Sequence, residues 1–200
     1  MILVLELLII SIIGYLLGSL NTSIIVGKIY KVDITKIGSK NAGMTNTLRV
    51  LGKFVAILVI IGDVLKGVVS CYIGLYIMGD TTGLMIGGLG SVLGHNWPIY
   101  FNFKGGKGIL STFIVLLMMD YRIGLVLFGI FIIIVFITKY VSLGSTIASA
   151  LFPIFAILLH KSNIFISFSI ILALLAIFKH KQNIKRLLNG NENKIGKKSK

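Results

Sequence analysis

Long apolar windows restrict the fold of this chain more than any other feature. A bilayer core about 30 Å thick needs about 20 apolar residues per helix, and several windows approach or meet that length. The seven windows are Ile2 to Val26, Phe54 to Met78, Gly83 to Phe101, Ile109 to Met119, Ile123 to Thr138, Ser142 to Leu159 and Ile164 to Phe178. Of the 200 residues, 56% are hydrophobic and 13% are charged, a balance too apolar for a soluble domain. We therefore expect an all-α integral membrane protein with seven transmembrane helices.

The fourth and fifth windows are short, and only Asp120, Tyr121 and Arg122 separate them. This spacing fits either one broken helix or two tight spans, and we take two. The basic residues support an odd number of spans, because they gather in alternate loops. Six lie between Lys28 and Lys53 in the first loop, Lys104 and Lys107 lie in the third, Lys139 lies in the fifth, and eight follow Ile177, whereas the other loops hold only Arg122 and Lys161.

The positive-inside rule makes the basic loops and the C-terminus cytoplasmic and the N-terminus external. An odd number of spans is needed for this arrangement, in agreement with seven windows. The formal charge of +14 therefore reports membrane topology, and we expect the lipid bilayer, not nucleic acid, to be the partner.

Polar residues gather in four segments at the predicted cytoplasmic face. The segments run from Gly18 to Lys28, from Gly38 to Lys53, from Gly94 to Gly108 and from His180 to Glu192. Some of their features have purely structural explanations. Gly14 and Gly18, like Gly90 and Gly94, have the spacing of close helix packing. His95 fits a satisfied polar residue at a helix end as well as it fits a functional one.

Asp63 and Lys66 lie inside the second apolar window, where ionised groups are costly and are usually paired or face a cavity. Their spacing of three places them on one helix face, so each can neutralise the other. A structural pair that supports the cytoplasmic site and a direct contact with ligand both remain open. No group of residues has the pattern of a metal site, since Cys71 stands alone and the three histidines are scattered, and we expect no metal.

The segment FKGGKGI, residues 103–109, predicts an anion site. Gly105, Gly106 and Gly108 allow backbone N–H groups to approach a ligand and form a nest at the start of the next helix. Lys104 and Lys107 add positive charge, so the expected ligand is a phosphate. The segment is not a nucleotide P-loop, because Gly108 follows Lys107 where that motif requires Ser or Thr.

A second polar lining follows Gly38. Ser39, Asn41, Thr45 and Asn46 offer neutral hydrogen-bonding groups, and Arg49 offers a planar fork for phosphate oxygens. Two anion-binding segments on one membrane face suggest two phosphorylated groups.

These residues resemble the bacterial acyl-phosphate:glycerol-3-phosphate acyltransferases of the PlsY type over nearly the whole chain. The family pattern Gly-Ser-x-Asn-x-Gly-x-Thr-Asn, followed by Arg, is matched by Gly38, Ser39, Asn41, Gly43, Thr45, Asn46 and Arg49. Three further patterns are matched by Gly94, His95, Pro98 and Phe103 to Gly108, by Asp63, Lys66 and Gly67, and by His180, Asn183, Arg186, Leu187, Gly190 and Glu192. The sequence departs from the family pattern at Asn21 and Ala42, two positions where the family commonly has proline.

The resemblance implies transfer of a fatty acyl group from acyl phosphate to the sn-1 hydroxyl of glycerol 3-phosphate, in a cytoplasmic-face active site without a cofactor. It implies one membrane-embedded catalytic domain over residues 1–188, which we expect a basic cytoplasmic tail over 189–200 to follow. The catalytic group would be Ser39, Asn41, Lys104, His180 and Asn183. We assign glycerol phosphate to Arg49, Lys104, His180 and Asn183, and acyl phosphate to Ser39, Gly105, Gly106, Lys107 and Gly108, helped by Asn41. Supporting roles fall to Gly38, Gly43, Thr45, Asn46, Asp63, Lys66, His95, Arg186 and Glu192.

Three alternatives remain open from the sequence. Ser39 could act as an acyl-enzyme nucleophile and not only as a hydrogen-bond donor. A transporter for a small phosphorylated solute is the main rival function, because glycine-interrupted helices and an intramembrane Asp63/Lys66 pair also occur in transporters. A nonenzymatic lipid-binding scaffold is the third.

Overall fold

The computed structural model describes residues 2–195, and this part of the chain is helical without a β-strand. It divides into two compact units, one ending at Met119 and the other beginning at Asp120. The helices of the first unit are α1 Ile2–Ser19, α2 Thr22–Ile29, α3 Met44–Leu51, α4 Lys53–Met78, α5 Thr81–Asn96 and α6 Ile109–Met119, with a 3-10 turn at Ile99–Phe101. Those of the second unit are α7 Tyr121–Thr138, α8 Val141–Leu158, α9 Asn163–Lys179 and α10 Lys181–Leu188.

Four of the described helical segments are long and apolar enough to cross a bilayer. They are Ile2–Ile29, which joins α1 and α2, and the helices α4, α7 and α8. The pair α9 and α10, bent by 59°, makes a fifth if it is one span. Many large apolar side chains on these helices are exposed, including Phe54, Tyr76 and Phe136, as lipid contact requires. The integral membrane class is thereby supported, while the count of seven and the orientation remain predictions.

The number of membrane spans does not follow from helix length alone, because some of the apolar helices are short. The 11 residues of α6 rise only about 16 Å, roughly half of the hydrocarbon core. A helix break at Asp120 separates α6 from α7, which fits one broken helix as well as the two spans predicted, so two spans remain a prediction. The Asp120 carboxylate accepts hydrogen bonds from the N–H groups of Arg122 and Ile123 at 2.9 and 3.2 Å and so caps α7.

The first and third predicted spans differ from the helices in the structure. Leu20 and Asn21 interrupt the first span, and the Asn21 side chain caps α2 by accepting the N–H of Ile24 at 3.2 Å. The third span was predicted to reach Phe101, which is wrong, since α5 ends at Asn96. Pro98 disfavours a helical conformation at the preceding residue, and Trp97 accordingly has φ −136° and ψ 69°.

Glycines bring α1, α4 and α5 of the first unit close together. A Cβ at Gly14 would lie 2.5 Å from the carbonyl oxygen of Gly87, and one at Gly18 would overlap the backbone of Ser91. Gly94 lies equally close to the backbone of α1. The close-packing interpretation of these glycines is confirmed, and it places the C-terminal end of α5 beside the break between α1 and α2.

In the second unit α7 packs on α8, and α8 packs on α9. The rings of Phe152 and Phe165 meet edge to face with their centroids 5.9 Å apart, which joins α8 to α9. The predicted tail begins within this unit, and the backbone N–H of Ile195 donates to the carbonyl of Lys139 at 2.9 Å. The rest of the tail, residues 196–200, lies outside the described residues.

Candidate functional site

A buried polar network lies under the break between α1 and α2 in the first unit. The ammonium of Lys66 is 2.8 Å from the Asp63 carboxylate, and these side chains are only 5% and 2% exposed. Lys66 also donates to the carbonyl of Leu20 at 3.3 Å, and Thr22 donates to Asp63 at 3.2 Å. The predicted i, i+3 pair is therefore confirmed, and it holds the backbone of the helix break.

His95 is the third member of this network. Its Nδ1 lies 3.0 Å from Nζ of Lys66 and 3.7 Å from the Asp63 carboxylate. An ammonium group can only donate, so Nδ1 of His95 accepts and the proton of a neutral imidazole lies on Nε2. That nitrogen faces Gly106, where an added Cβ would collide with it. The network thus connects α4 and α5 to the glycine loop, residues 104–108.

The glycine loop packs directly on the C-terminal end of α5. Gly106 donates its N–H to the carbonyl of His95 at 3.1 Å, and Lys104 donates its N–H to the carbonyl of Phe101 at 3.0 Å. A Cβ at Gly108 would lie 2.6 Å from the side chain of Asn96. Close approach to α5 is therefore a sufficient reason for these glycines, and one N–H group of the predicted nest, that of Gly106, is already used within the protein.

Asn46 holds the polar loop that runs from Ile34 to Gly43. Its carbonyl oxygen accepts the N–H of Ser39 at 2.8 Å, and its amide nitrogen donates to the carbonyls of Ile34 and Ile37, both at 3.0 Å. Gly38 has φ +64°, the left-handed region that favours glycine, and a Cβ there would collide with Asn46. Asn46 is fully buried, so its role is to fix the loop that carries Ser39 and Asn41.

The polar loop and the glycine loop meet at Ala42. A Cβ added to Gly106 would overlap the carbonyl oxygen of Ala42. The same carbonyl accepts a hydrogen bond from the Asn21 side chain at 3.4 Å. The two departures from the family pattern, Asn21 and Ala42, therefore contact each other, and the polar group that Asn21 introduces helps to hold the junction of the two loops.

The remaining predicted residues of the first unit surround this junction. Ser39, Asn41, Gly43, Thr45 and Arg49 are half-buried on the polar loop and α3, and Lys107 is half-buried in the glycine loop. Lys104 is exposed and lines an open groove together with Lys28 and Lys31. Lys28 closes the first of the four predicted polar segments, whereas the only signal of Lys31 was the basic character of the first loop.

In the second unit, His180 lies at the bend between α9 and α10. It is buried, and its Nδ1 lies 2.7 Å from the carbonyl oxygen of Ala176. A carbonyl oxygen only accepts, so Nδ1 carries a proton, and Nε2 of the neutral ring has the lone pair. Such an imidazole can accept a proton or a hydrogen bond at Nε2.

Glu192 binds three other residues of the second unit through its carboxylate. Asn183 and Ser142 donate to Oε1 at 2.7 and 2.9 Å, and Arg186 donates to Oε2 at 2.8 Å. Burial alone would raise the pKa of the Glu192 carboxyl, but the hydrogen bonds from Arg186, Asn183 and Ser142 hold that pKa below its ordinary value. We name these four residues the Glu192 clasp. It orients Asn183 by fixing its amide nitrogen.

The turn after α10 brings Glu192 back to its partners. Gly190 has φ +69°, its N–H donates to the carbonyl of Leu187 at 3.1 Å, and the N–H of Asn191 donates to that of Arg186 at 2.8 Å. This pair of bonds is the Schellman motif, which favours glycine at the left-handed position. The sequence motifs contain Gly190 and Glu192 but not Ser142, whose only signal was a hydroxyl in the first turn of an apolar helix.

Comparison with known proteins identifies relatives along almost the entire chain. The profile of a family described as glycerol-3-phosphate acyltransferase matches residues 8–190. The glycerol-3-phosphate acyltransferase of Thermoanaerobacter pseudethanolicus is 49% identical over 191 residues, covering 94% of this chain and 96% of the relative. That of Fusobacterium nucleatum is 42% identical over 182 residues, covering 90% and 94%.

Two crystal structures also resemble this fold. Both are of PlsY, an integral membrane glycerol 3-phosphate acyltransferase, one in a glycerol 3-phosphate form and one in a lysophosphatidic acid form. The first has a TM-score of 0.89 and 36% sequence identity, with 95% of this chain and 96% of the other covered. The second has a TM-score of 0.86 at the same identity, with 95% of each chain covered.

Proposed function

Because this chain belongs to the glycerol-3-phosphate acyltransferase family, we propose that it transfers a fatty acyl group from an acyl phosphate to the sn-1 hydroxyl of glycerol 3-phosphate. The products are lysophosphatidic acid and phosphate. The observation that supports this chemistry best is the contact of the polar loop with the glycine loop at Ala42 and Gly106. It gathers two predicted phosphate-binding segments at one place. The transporter and scaffold hypotheses are not retained, because the family consists of enzymes.

The acyl phosphate is assigned to the first unit. Ser39 and Asn41 of the polar loop, with Gly105, Lys107 and Gly108 of the glycine loop, would hold its phosphate, whereas the N–H of the predicted Gly106 is already donated to His95. Lys107 contributes charge, and the N-terminus of α6 directly after Gly108 adds the positive end of its dipole. The Asp63, Lys66 and His95 network binds the break between α1 and α2 and contacts the glycine loop at Gly106, so we assign it a positioning role.

Glycerol 3-phosphate is assigned to Arg49, Lys104, His180 and Asn183. Arg49 provides a bidentate fork for phosphate oxygens, and Lys104 provides a compact positive charge. His180 and Asn183 suit the hydroxyl groups, because both are held by hydrogen bonds to Ala176 and Glu192. We assign Arg186 and Glu192 to keeping Asn183 in position.

An acyl phosphate is a mixed anhydride, so the hydroxyl oxygen can attack the carbonyl carbon directly. The new ester bond forms, the bond between that carbon and the phosphate oxygen breaks, and its electron pair leaves with the phosphate. The hydroxyl proton passes either to the departing phosphate or to a side chain. Positioning and stabilisation of the leaving phosphate then supply the catalysis, and the step requires neither a metal nor a cofactor.

A covalent route through Ser39 makes a different prediction. Incubation with acyl phosphate in the absence of glycerol phosphate would leave the protein acylated at Ser39, and mass spectrometry of the intact chain would detect it. We expect an unchanged mass under conditions that support turnover. Acylated protein that then transfers its acyl group to glycerol 3-phosphate would overturn direct attack.

We further propose that the protein has seven spans in a bacterial cytoplasmic membrane, with the N-terminus outside and the polar loops and C-terminus on the cytoplasmic face. Single cysteines that replace Lys36 and His160 would test this orientation in a background in which Cys71 is replaced by Ala. A membrane-impermeant thiol reagent added to intact cells should label position 160 and not position 36. The reverse pattern would contradict the proposed orientation.

One assay tests the proposed reaction as a whole. Purified protein, acyl phosphate and labelled glycerol 3-phosphate, without added CoA or metal, should give labelled lysophosphatidic acid. Acyl-CoA in place of acyl phosphate should give none. Product formation from acyl-CoA alone would contradict the assigned donor while leaving family membership intact.

A further inference from the structure

A groove lined by Lys104 also contains Lys28 and Lys31, two lysines that have no role in the substrate contacts assigned above. It lies entirely within the first unit, is open to solvent and has a volume of about 480 Å³. The lining residues on which the charge of the groove depends are Lys28, Lys31, Asp33 and Lys104, and Phe101 forms part of the wall. We call this groove the basic groove. Its size suits a small phosphate ester or the headgroup of a lipid.

The charge of this groove is strongly positive. Three ammonium groups line it against the single carboxylate of Asp33, and that carboxylate is already bound within its own loop. Asp33 accepts the hydroxyl of Thr35 at 2.6 Å and pairs with the ammonium of Lys36 at 3.2 Å. The charges of Lys28, Lys31 and Lys104 are therefore not cancelled by an acidic wall.

Lys31 has the left-handed backbone conformation that favours glycine. It has φ 56° at the end of α2, its N–H donates to the carbonyl of Lys28 at 3.0 Å, and the N–H of Val32 donates to the carbonyl of Gly27 at 2.8 Å. This is a Schellman motif with lysine where glycine is strongly preferred. A non-glycine residue in this conformation costs stability. Lys40 and Lys139 have the same conformation, so what this conformation provides at Lys31 is a position that glycine can take without strain.

Lys28 is also held at the groove. Its Nζ lies 5.0 Å from the centroid of the Phe101 ring, which forms part of the wall. The cation–π contact restricts the ammonium to this side of α2. Lys28 and Lys31 come from the end of α2, whereas Lys104 comes from the start of the glycine loop, so two separate segments of the unit deliver positive charge to one groove.

We propose that Lys28 and Lys31 bind the phosphate of a phosphate monoester in the basic groove and so raise its local concentration beside Lys104. The ligand is either free glycerol 3-phosphate or the headgroup of lysophosphatidic acid, which share this chemistry. The proposal rests on the proposed function, because the basic groove would deliver substrate to, or remove product from, the glycerol 3-phosphate site to which Lys104 is assigned. Ammonium groups at an open groove give weak, salt-sensitive binding that acts on capture and release more than on the chemical step.

The test uses the full chain with Lys28→Gln, Lys31→Gly and both together. Lys31→Gly removes the charge but suits the left-handed backbone, so it should unfold no more easily than the parent. If the groove binds free glycerol 3-phosphate, each change should raise the KM for that substrate about two- to fivefold at low ionic strength with kcat unchanged. The effect should disappear near 1 M salt, where the screening length is only about 3 Å. Lys53→Gln is the matched control, since Lys53 lies in the same unit outside the groove.

Product inhibition distinguishes the two sources of the phosphate. If the groove binds the lipid headgroup, the double variant should raise the inhibition constant of lysophosphatidic acid in mixed micelles and leave the KM for glycerol 3-phosphate unchanged. If neither constant changes at low salt, or if kcat falls while both stay constant, the proposal is overturned. Calorimetric titration with glycerol 3-phosphate and with inorganic phosphate tests the groove even if the parent protein makes no product.

Discussion

Replacement of Lys66 by Met tests the buried network most directly. The change keeps the length of the side chain but removes the ammonium that lies 2.8 Å from Asp63. The Asp63 side chain is 2% exposed, so its carboxylate would remain buried, with the Thr22 hydroxyl and the His95 ring as its polar neighbours among the described residues. Removal of one partner of a buried ion pair typically costs about 3–5 kcal/mol, and we expect a loss in this range.

The double variant Asp63→Asn/Lys66→Met separates buried charge from lost packing. The amide that replaces the Asp63 carboxylate retains an acceptor for Thr22 and carries no charge, so most of the lost stability should return, to within about 1–2 kcal/mol of the parent. The double variant should therefore be more stable than Lys66→Met alone by about 2 kcal/mol. Acyltransfer should recover less than stability, because the ammonium that orients His95 is absent from both variants.

Equilibrium unfolding by SDS in mixed micelles can measure these differences. Trp97 is the single tryptophan of the chain and follows α5 two residues after His95, so its fluorescence reports on this region. Lys53→Met, at the start of α4, is the matched control and should change stability by less than about 0.5 kcal/mol. A loss below about 1 kcal/mol for Lys66→Met, or a double variant as unstable as the single one, would refute the reasoning.

Three other changes follow from the described contacts. Asn46→Ala removes three hydrogen bonds and should cost about 2–4 kcal/mol in the same unfolding assay; Asn46→Asp, which cannot donate to the two carbonyls, should not restore that stability. Arg49→Ala should raise the KM for glycerol 3-phosphate about 10- to 100-fold without weakening donor binding, and an unchanged constant would contradict its role. The folded pKa of Glu192 lies below its unfolded value, so its carboxylate stabilises the protein above about pH 4–5, and this contribution is lost as pH falls through the folded pKa. Glu192→Gln should therefore lower stability at pH 7 and flatten the decline between about pH 5 and 3, whereas unfolding midpoints that decline in parallel would contradict this.

Local patterns predicted several features of this protein correctly. Apolar length predicted the membrane class, and the spacing of Asp63 and Lys66 predicted their pairing, because both depend on residues close in sequence. The break between α6 and α7 followed from Asp120 in the same way. The boundary of α5 was predicted wrongly, since hydropathy counts the apolar residues after Pro98 while the backbone at Trp97 has already left the helix.

Long-range packing decided which polar groups serve the fold. Asn46 and the N–H of Gly106 looked like ligand contacts in the sequence, yet both are hydrogen-bonded within the first unit. The third member of the buried network, His95, lies 29 positions after Lys66, a distance at which spacing carries no contact information. Only the approach of α5 to α4 brings the two side chains within 3.0 Å.

The sequence by itself therefore determined the membrane class, the motifs and the residue types available for phosphate chemistry. The tertiary structure decided which of those residues are buried and support the fold and which lie at the surface. It directed Lys28, Lys31 and Lys104 into one groove, and it bound Glu192 to Ser142 across 50 positions. The physical reason is that hydropathy and helix periodicity are set by neighbours in sequence, whereas burial and hydrogen-bond pairing are set by neighbours in space.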